Sequence, residues 1–272
     1  MLEYVELVAL FFMQGAALGM WFVPLSGVLN ANGLDAIRPF AFAASALAAF
    51  VSPLIFGAMA DRHAAPVKVL RGLALATALA MAIVAAAIHW HVNQWVILAL
   101  IQLLAFCSSP SWSISSTIVF ARLADSRKEF GPIRGMATLG WMAGCWVVSL
   151  LGADTSTLAL FSAASLWLLI GGFTFFLPDV EVPKAMAQLT WSQRFGLDAL
   201  TLLKNRDHRV VFIVLVLFSI PLGAFYPYAP VHLSELGLHR TSAWMTLGQV
   251  SEMIAMFSLG ALLLKMRLKW IF

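Results

Sequence analysis

GPIRGMATLGW, residues 131–141, places one arginine close to the start of an apolar run that continues to Leu151. A cation in the hydrocarbon of a bilayer costs about 3 kcal/mol or more, so intramembrane arginines nearly always face a bundle interior or a water-filled cavity. Arg134, Thr138 and Trp141 are four and then three residues apart, which puts them on one face of a helix. This face predicts one wall of a polar binding site. The alternative is that Arg134 extends from the first turn of the helix to the membrane surface.

The composition indicates the class of protein. Of the 272 residues, 61% are hydrophobic and 11% are charged, whereas soluble domains carry roughly 25% charged residues. The mean hydropathy is +0.89, so the sequence predicts an all-α polytopic protein of the lipid bilayer. The basic residues cluster between apolar runs, as membrane topology requires, and therefore do not indicate nucleic acid binding. Cys107 and Cys145 lie inside apolar runs, which suggests neither a disulfide nor a metal site, and no cofactor is expected.

Eight apolar runs are long enough to cross a bilayer, which takes about 20 residues. They cover residues 5–29, 37–60, 67–89, 95–121, 132–151, 158–177, 210–233 and 244–264. The first run follows Glu3 and Glu6 and is long enough to span, so we expect it to be retained rather than cleaved as a signal peptide. The polar segment 178–208 contains an amphipathic stretch around Trp191 and Phe195, which is predicted to lie on the membrane surface.

The distribution of lysine and arginine predicts the orientation of these spans, because cytoplasmic loops are rich in both. With the N-terminus inside, the inner loops hold fourteen of the seventeen lysines and arginines, and the outer loops hold only Arg38 and Arg240. Both termini are then cytoplasmic, in agreement with an even number of spans. The predicted parts are a six-helix bundle over 1–177, a cytoplasmic loop with an interfacial helix over 178–208, and two further spans over 209–272.

The loop between the second and third spans carries the short motif GAMADR at residues 57–62. Gly57 permits close helix approach, and Asp61 and Arg62 can form ion pairs that hold the cytoplasmic side in one conformation. The motif resembles the loop signature of the major facilitator superfamily, in which a glycine is followed four and five residues later by Asp-Arg. The resemblance implies a gating role for these three residues.

Longer stretches resemble one family within that superfamily, the bacterial nucleoside:proton symporters. The matching segments follow in the same order and spacing along the whole chain. They are Met13-Gln14 and Gly19-Met20-Trp21 in the first span, Pro132-Ile133-Arg134, Thr138-Leu139-Gly140 and Trp146-Val147-Val148-Ser149-Leu150 in the fifth, Gly196-Leu197-Asp198-Ala199-Leu200 with Leu203-Lys204-Asn205 in the central loop, and Gln249-Val250-Ser251-Glu252 in the eighth. The resemblance implies an inner-membrane protein with the major facilitator fold, here the N-terminal six-helix bundle and the first two helices of the C-terminal half.

The resemblance also implies a function and a binding site. It implies symport of a nucleoside with protons, by two halves that rock around a central site. The substrate-binding residues carried over by position are Gln14, Trp21, Arg134, Thr138, Trp141, Gln249 and Glu252. Among them the Trp141 ring could stack on a nucleobase.

Glu252 is a candidate site residue independently of the resemblance. It is the only carboxylate well inside any predicted span, and Gln249, three residues earlier, shares its helical face. A desolvated carboxylate can bind and release a proton near neutral pH, which predicts that Glu252 couples proton movement to transport. The alternatives are a polar residue that serves helix packing and a structural ion pair between Glu252 and Arg134 across the halves.

The seventh span departs from the family pattern. The family usually offers amide side chains to the substrate in this span, whereas this chain has FYPYAPVH at residues 225–232. Tyr226 and Tyr228 could supply hydroxyl groups instead, and Tyr228 is included among the predicted binding residues. Alternatively, the prolines break the helix there. The departure keeps open the transport of another polar solute, such as a sugar.

The chain ends where the ninth of the family's twelve helices is expected to begin. We therefore expect the 272-residue chain by itself not to catalyse concentrative transport, and a transport-incompetent membrane protein that only packs or assembles is a further alternative. The sequence does not indicate the oligomeric state. An enzyme is not expected, because the sequence has no HExxH, GxSxG, phosphate-loop or CxxC motif.

Overall fold

The structure, a computed structural model, describes residues 2–62, 65–123, 126–179 and 197–265, with only the backbone for a few stretches that include 52–62. Its α-helices are α1 (Leu2–Phe22), α2 (Leu25–Ala31), α3 (Arg38–Arg62), α4 (Pro66–His89), α5 (Gln94–Arg122), α6 (Ser126–Leu150), α7 (Leu158–Phe173), α8 (Arg206–Glu235), α9 (Thr241–Met245) and α10 (Leu247–Lys265). Short 3-10 helices occur at Asp35–Ile37 and Leu197–Lys204. Within the described ranges the regular structure is entirely helical, as the composition predicts.

The long helices coincide with the apolar runs. By length and composition, four helical segments in the described part can cross a membrane, namely Glu3–Ala31, Pro66–His89, Gln94–Arg122 and Arg206–Glu235. Helix α7 is apolar but shorter, and α3, α6 and α10 occupy the positions of the second, fifth and eighth predicted spans. Pro24 divides the first predicted span into α1 and α2, since proline has no N–H to continue the helical hydrogen bonds.

Helix α1 lies at the centre of the bundle. It packs along α6 and also contacts α7, while α4 packs on α5 and α7, and α3 packs on α5. The side chains of Leu7, Leu10 and Phe11 on α1 are almost completely buried. Burying a large apolar side chain contributes about 1.5–3 kcal/mol in water, but between membrane helices the gain comes from close packing instead.

Glycines bring α1 and α6 into backbone contact. Gly15 and Gly19 on α1 are four residues apart, as are Gly140 and Gly144 on α6, so each helix carries a GxxxG motif. A Cβ atom on Gly140 would lie 2.0 Å from the carbonyl oxygen of Phe12, and one on Gly15 would lie as close to that of Ala137. Small residues at this spacing allow helix backbones to touch in membranes. The contact places the predicted binding face of α6 directly beside α1.

The last three helices pack on the bundle in different ways. Helices α9 and α10 contact α6, whereas α8 contacts α2 and α3. Residues 206–225 of α8 are exposed throughout, and its buried positions, such as Pro227 and Pro230, come later. The alternative that prolines break this span is wrong, because α8 is continuous from Arg206 to Glu235.

Two sequence predictions fall partly outside the described residues. The side chains of Asp61 and Arg62 and the surroundings of Gly57 are not described, although the backbone of α3 is helical as far as Arg62. The amphipathic stretch around Trp191 and Phe195 lies outside the described residues. The part of the same loop that is described forms the 3-10 helix Leu197–Lys204.

Candidate functional site

A cavity of about 350 Å³, here called the central cavity, lies between the bundle and the last helices. Its lining residues come from α1, α5 and α6 on one side and from α8 and α10 on the other. They are Gly15, Leu18, Trp112, Arg134, Ala137, Thr138, Trp141, Tyr226, Gln249 and Glu252. Cavities of roughly 300–1,000 Å³ with a few convergent polar groups are typical of small-molecule sites.

Two polar side chains approach one carboxylate oxygen of Glu252 in this cavity. Thr138 Oγ1 donates a hydrogen bond of 3.1 Å to Glu252 Oε1, and Arg134 Nη2 lies 4.0 Å from the same oxygen. The Arg134 guanidinium carbon also lies 4.9 Å from the centroid of the Trp112 ring, a cation–π distance. The distance of 4.0 Å exceeds that of a hydrogen bond, so Arg134 and Glu252 attract each other without closing a direct contact.

The charged pair is accessible rather than sealed in the protein. The side chain of Arg134 is 29% exposed and that of Glu252 is 41% exposed. Both therefore retain hydrogen-bonding capacity towards a ligand, because a guanidinium has five N–H donors and a carboxylate about four acceptor sites. Among the described residues, no group of three or more His, Cys, Asp or Glu could hold a metal ion.

Aromatic rings gather at the end of the central cavity where α1 ends. The Phe22 ring lies 5.2 Å from that of Tyr226 and 5.1 Å from that of Phe42, centroid to centroid. The Trp141 and Tyr226 rings are 5.9 Å apart at an angle of 62°. Edge-to-face pairs of this kind contribute about 0.5–1.5 kcal/mol each beyond area burial. They join α1, α3 and α6 to α8.

The residues predicted from the first span lie in a neighbouring cavity. Gln14 and Trp21 line a cavity of about 240 Å³, here called the side chamber, which shares Leu18, Trp112 and Trp141 with the central cavity. Gln14 is buried and its Nε2 donates a hydrogen bond of 2.7 Å to Ser115 Oγ. Five of the other six residues of the predicted set line the central cavity, namely Arg134, Thr138, Trp141, Gln249 and Glu252, and only Trp141 among them borders both cavities.

The prediction for Tyr228 requires a correction. Tyr228 lies outside both cavities, and its ring is 5.4 Å from the Arg38 guanidinium carbon. Two residues along a helix are about 200° apart around its axis, so when Tyr226 lines the central cavity, Tyr228 points away. Tyr226 is therefore the tyrosine of this span that belongs to the candidate site.

Sequence reasoning missed a hydrogen-bond network between the bundle and α9. Asp154 Oδ1 accepts hydrogen bonds from Ser149 Oγ at 2.9 Å and from the Ser242 backbone N–H at 2.7 Å. Ser149 Oγ accepts one from the Ala243 N–H at 3.0 Å. Arg240 is the N-cap residue of α9 and has a left-handed backbone conformation, but its side chain makes no capping hydrogen bond. Asp154 and Ser149 thus cap a helix that lies far along the chain, and local sequence gives no signal of this pairing.

A sequence model of the nucleoside H+ symporter family matches residues 1–272. The chain belongs to this family. Family membership confirms the predicted resemblance, and the members of this family are membrane transporters rather than enzymes. The aligned relatives and solved structures extend this result to the fold.

Relatives in Escherichia coli K12 carry transporter names. The protein "Putative nucleoside transporter YegT" is 35% identical over 252 residues, which are 89% of this chain and 57% of that protein. "Nucleoside permease NupG" is 31% identical over 166 residues, which are 54% of this chain and 39% of that protein. "Xanthosine permease" is 28% identical over 219 residues, or 78% of this chain and 50% of that protein. This chain therefore spans about half the length of the curated relatives it matches.

A solved structure supports the fold directly. A crystal structure of a mutant of nucleoside transporter NupG superposes with a TM-score of 0.84 at 25% identity, and the match covers 94% of this chain and 66% of that one. The fold is thus that of the major facilitator superfamily, with the N-terminal six-helix bundle and the first two helices of the C-terminal half. This confirms the predicted fold class.

Proposed function

We propose that this chain binds a nucleoside in the central cavity as part of a proton-coupled symporter of the inner membrane. The observation that carries the proposal is the approach of Arg134 and Thr138 to one oxygen of Glu252, beside aromatic rings, between the two halves of the fold. The family and the printed names of the relatives support a nucleoside substrate.

The chemistry of the cavity suits the two parts of a nucleoside. Ribose offers hydroxyl groups that both donate and accept hydrogen bonds, which matches the carboxyl of Glu252, the guanidinium of Arg134 and the amide of Gln249. A nucleobase is flat and aromatic, and the indoles of Trp112 and Trp141 line the same cavity. A nucleoside therefore leaves few of these groups without a partner.

Glu252 is the proposed site of proton coupling. When Glu252 is ionised it attracts Arg134, which lies 4.0 Å away. A proton on Glu252 removes that attraction and leaves the guanidinium donors for the substrate, while the neutral carboxyl can still donate and accept hydrogen bonds. Substrate and proton would then favour each other's binding, which is what symport requires.

The proposed topology determines which end of the central cavity lies towards the outside and which lies towards the cytoplasm. With both termini cytoplasmic, residues 1–177 form the first half, 178–208 link the halves inside the cell, and 209–272 begin the second half. The aromatic rings around Tyr226 then lie towards the outside, as does the Asp154 network. The first residue of α8, Arg206, lies on the cytoplasmic side. This arrangement corresponds to a transporter whose outer side is closed.

Uptake into membrane vesicles tests the proposed function. Vesicles from cells that express the gene are given labelled uridine, adenosine or a hexose, with and without an imposed pH gradient. We expect both nucleosides to accumulate only with the gradient when the vesicles contain a complete twelve-helix transporter that includes this chain, and the 272-residue chain by itself to accumulate neither. Hexose uptake in place of nucleoside uptake would support the sugar transporter instead, and the absence of any uptake despite correct insertion would support a transport-incompetent protein.

Replacing Arg134 tests its role in binding. We expect Arg134→Ala to weaken uridine binding to purified protein by about 10- to 100-fold, because hydrogen bonds to charged groups contribute about 1.5–3 kcal/mol. Arg134→Lys should recover only part of the affinity, since lysine lacks the planar fork. Arg206→Ala, at the exposed start of α8, is the control and should bind normally. Equal affinities for all three variants would contradict the assignment.

The hydrogen bonds of Asp154 are predicted to hold the outer side of the protein closed, and the accessibility of Cys145 measures that closure. Cys145 is fully buried beside Val23 and Met245, where the bundle meets α9. We expect Asp154→Ala to raise the rate at which an impermeant maleimide labels Cys145 by about tenfold, because loss of the carboxylate removes a helix cap and a buried hydrogen bond. The measurement is made with Cys107 replaced by serine. Asp179→Ala, in an exposed ion pair with Lys68, is the control, and equal labelling in both variants would contradict the closure.

A further inference from the structure

Trp112 of α5 lines the central cavity and is a residue that sequence reasoning missed. The centroid of its indole ring lies 4.9 Å from the guanidinium carbon of Arg134, which is within the distance of a cation–π contact. The same ring packs against that of Phe11, with the centroids 5.3 Å apart, and Phe11 is completely buried in the hydrophobic core. The indole is therefore held by the bundle and in turn contacts the cation of the site.

The distance between Arg134 and Glu252 is long for two such groups in one cavity. An arginine and a carboxylate that are free to approach form charge-assisted hydrogen bonds of about 2.7–2.9 Å, whereas Arg134 Nη2 lies 4.0 Å from Glu252 Oε1. The hydrogen bond from Thr138 to the same oxygen does not prevent a contact, because a carboxylate has about four acceptor sites. The indole of Trp112 offers the guanidinium a competing attraction.

The two attractions on Arg134 respond differently to pH. The indole has no group that titrates and a guanidinium stays charged, so the attraction between them does not depend on pH. The attraction of Glu252 for Arg134 is lost when the carboxylate is protonated. Among the described residues, the ionisable side chains that line the cavity beside Glu252 are Arg134 from α6 and Tyr226 from α8, and a tyrosine hydroxyl is uncharged near neutral pH. The distance of Arg134 therefore determines how readily Glu252 takes up a proton.

We propose that Trp112 is a positioning residue, which holds the Arg134 guanidinium away from Glu252 through the cation–π contact. This role, which rests on the proposed function, is to keep the charged pair open. Glu252 then takes up a proton more readily than in a closed ion pair, because Coulomb attraction at about 2.8 Å is about 40% stronger than at 4.0 Å. After protonation Arg134 remains on the ring, with its N–H donors available to a substrate.

Infrared titration of the purified chain in lipid tests this role without any substrate. The C=O band of protonated Glu252 is identified as the band that Glu252→Gln lacks, and its intensity is followed against pH. In Trp112→Leu the guanidinium is free to close on Glu252, so we expect the midpoint of protonation to move to lower pH by about one unit. Trp112→Phe keeps a weaker aromatic face and should lie in between. Trp95→Leu, at the exposed start of the same helix, is the control and should match the wild type.

Uridine binding to the same variants separates positioning from a direct contact between Trp112 and the substrate. We expect the affinity of Trp112→Leu to fall at a lower pH than that of the wild type, by the same shift. An equal loss of affinity at every pH, with an unchanged infrared midpoint, would mean that the indole contacts the nucleoside itself and would overturn the proposal.

Thermal unfolding checks that the variants are folded. If Trp112→Leu does not fold, the midpoint of Trp112→Phe decides the question, and a midpoint equal to that of the wild type would overturn the role of Trp112. A shifted midpoint in a protein that binds no uridine at any pH would support the position of Trp112 but overturn the proposed function.

Discussion

In a complete twelve-helix transporter that includes this chain, Glu252→Gln should abolish proton-driven accumulation of nucleoside while leaving nucleoside exchange across the membrane. Glutamine keeps the size and much of the hydrogen bonding of glutamate but cannot take up a proton. A gradient of one pH unit is worth about 1.4 kcal/mol, so one proton per nucleoside drives about tenfold accumulation in the wild type. In the variant we expect the internal and external concentrations to become equal. Counterflow of labelled uridine in preloaded vesicles measures the retained exchange.

The matched control for this experiment is Glu235→Gln. Glu235 ends α8, has a side chain that is 70% exposed, and lies near His232 rather than the central cavity. We expect it to accumulate nucleoside as the wild type does. If Glu252→Gln still concentrates uridine against its gradient, then coupling depends on another group and the proposed role of Glu252 is wrong.

Gly140→Val should prevent α1 and α6 from packing. Replacing a helical glycine by alanine normally stabilises a helix by about 1 kcal/mol, and valine by less. Here the added Cβ would lie 2.0 Å from the carbonyl oxygen of Phe12, and backbone cannot move aside as a flexible side chain can. We therefore expect the loss of monodisperse protein in size-exclusion chromatography, or a large decrease in the midpoint of thermal unfolding.

Gly172→Val is the control for the packing prediction, because a Cβ on Gly172 of α7 meets no atom within 4 Å. This variant should be as stable as the wild type within about 1 kcal/mol. Normal yield and unfolding temperature for Gly140→Val would mean that α1 and α6 are further apart than described, and the position of Thr138 and Trp141 beside α1 would have to be revised.

The periodicity of the sequence predicted most of the helices and one wall of the site. Arg134, Thr138 and Trp141 follow helical spacing inside an apolar run, and intramembrane charge has few places where it is stable. Gln249 and Glu252 were found by the same reasoning from the eighth span. These five residues line one cavity, although only the tertiary structure shows that Thr138 and Arg134 approach the same oxygen of Glu252.

Other features depend on contacts between distant parts of the chain. The choice between Tyr226 and Tyr228 depends on the orientation of α8 about its own axis. An apolar sequence with three prolines does not determine that orientation. Asp154 caps α9 from 88 residues away, so no local motif reveals it. The GxxxG motifs at 15–19 and 140–144, by contrast, are visible in the sequence, and they could have predicted the contact between α1 and α6.

The most direct test of the central claim is the affinity of the purified protein for uridine as a function of pH. If the protonated form of Glu252 favours nucleoside binding, then affinity is highest at low pH and falls as the pH rises, by up to tenfold per unit for one linked proton. Glu252→Gln should show an affinity that hardly changes with pH. An affinity that is independent of pH in the wild type, or an equal dependence in both proteins, would contradict proton coupling at this site.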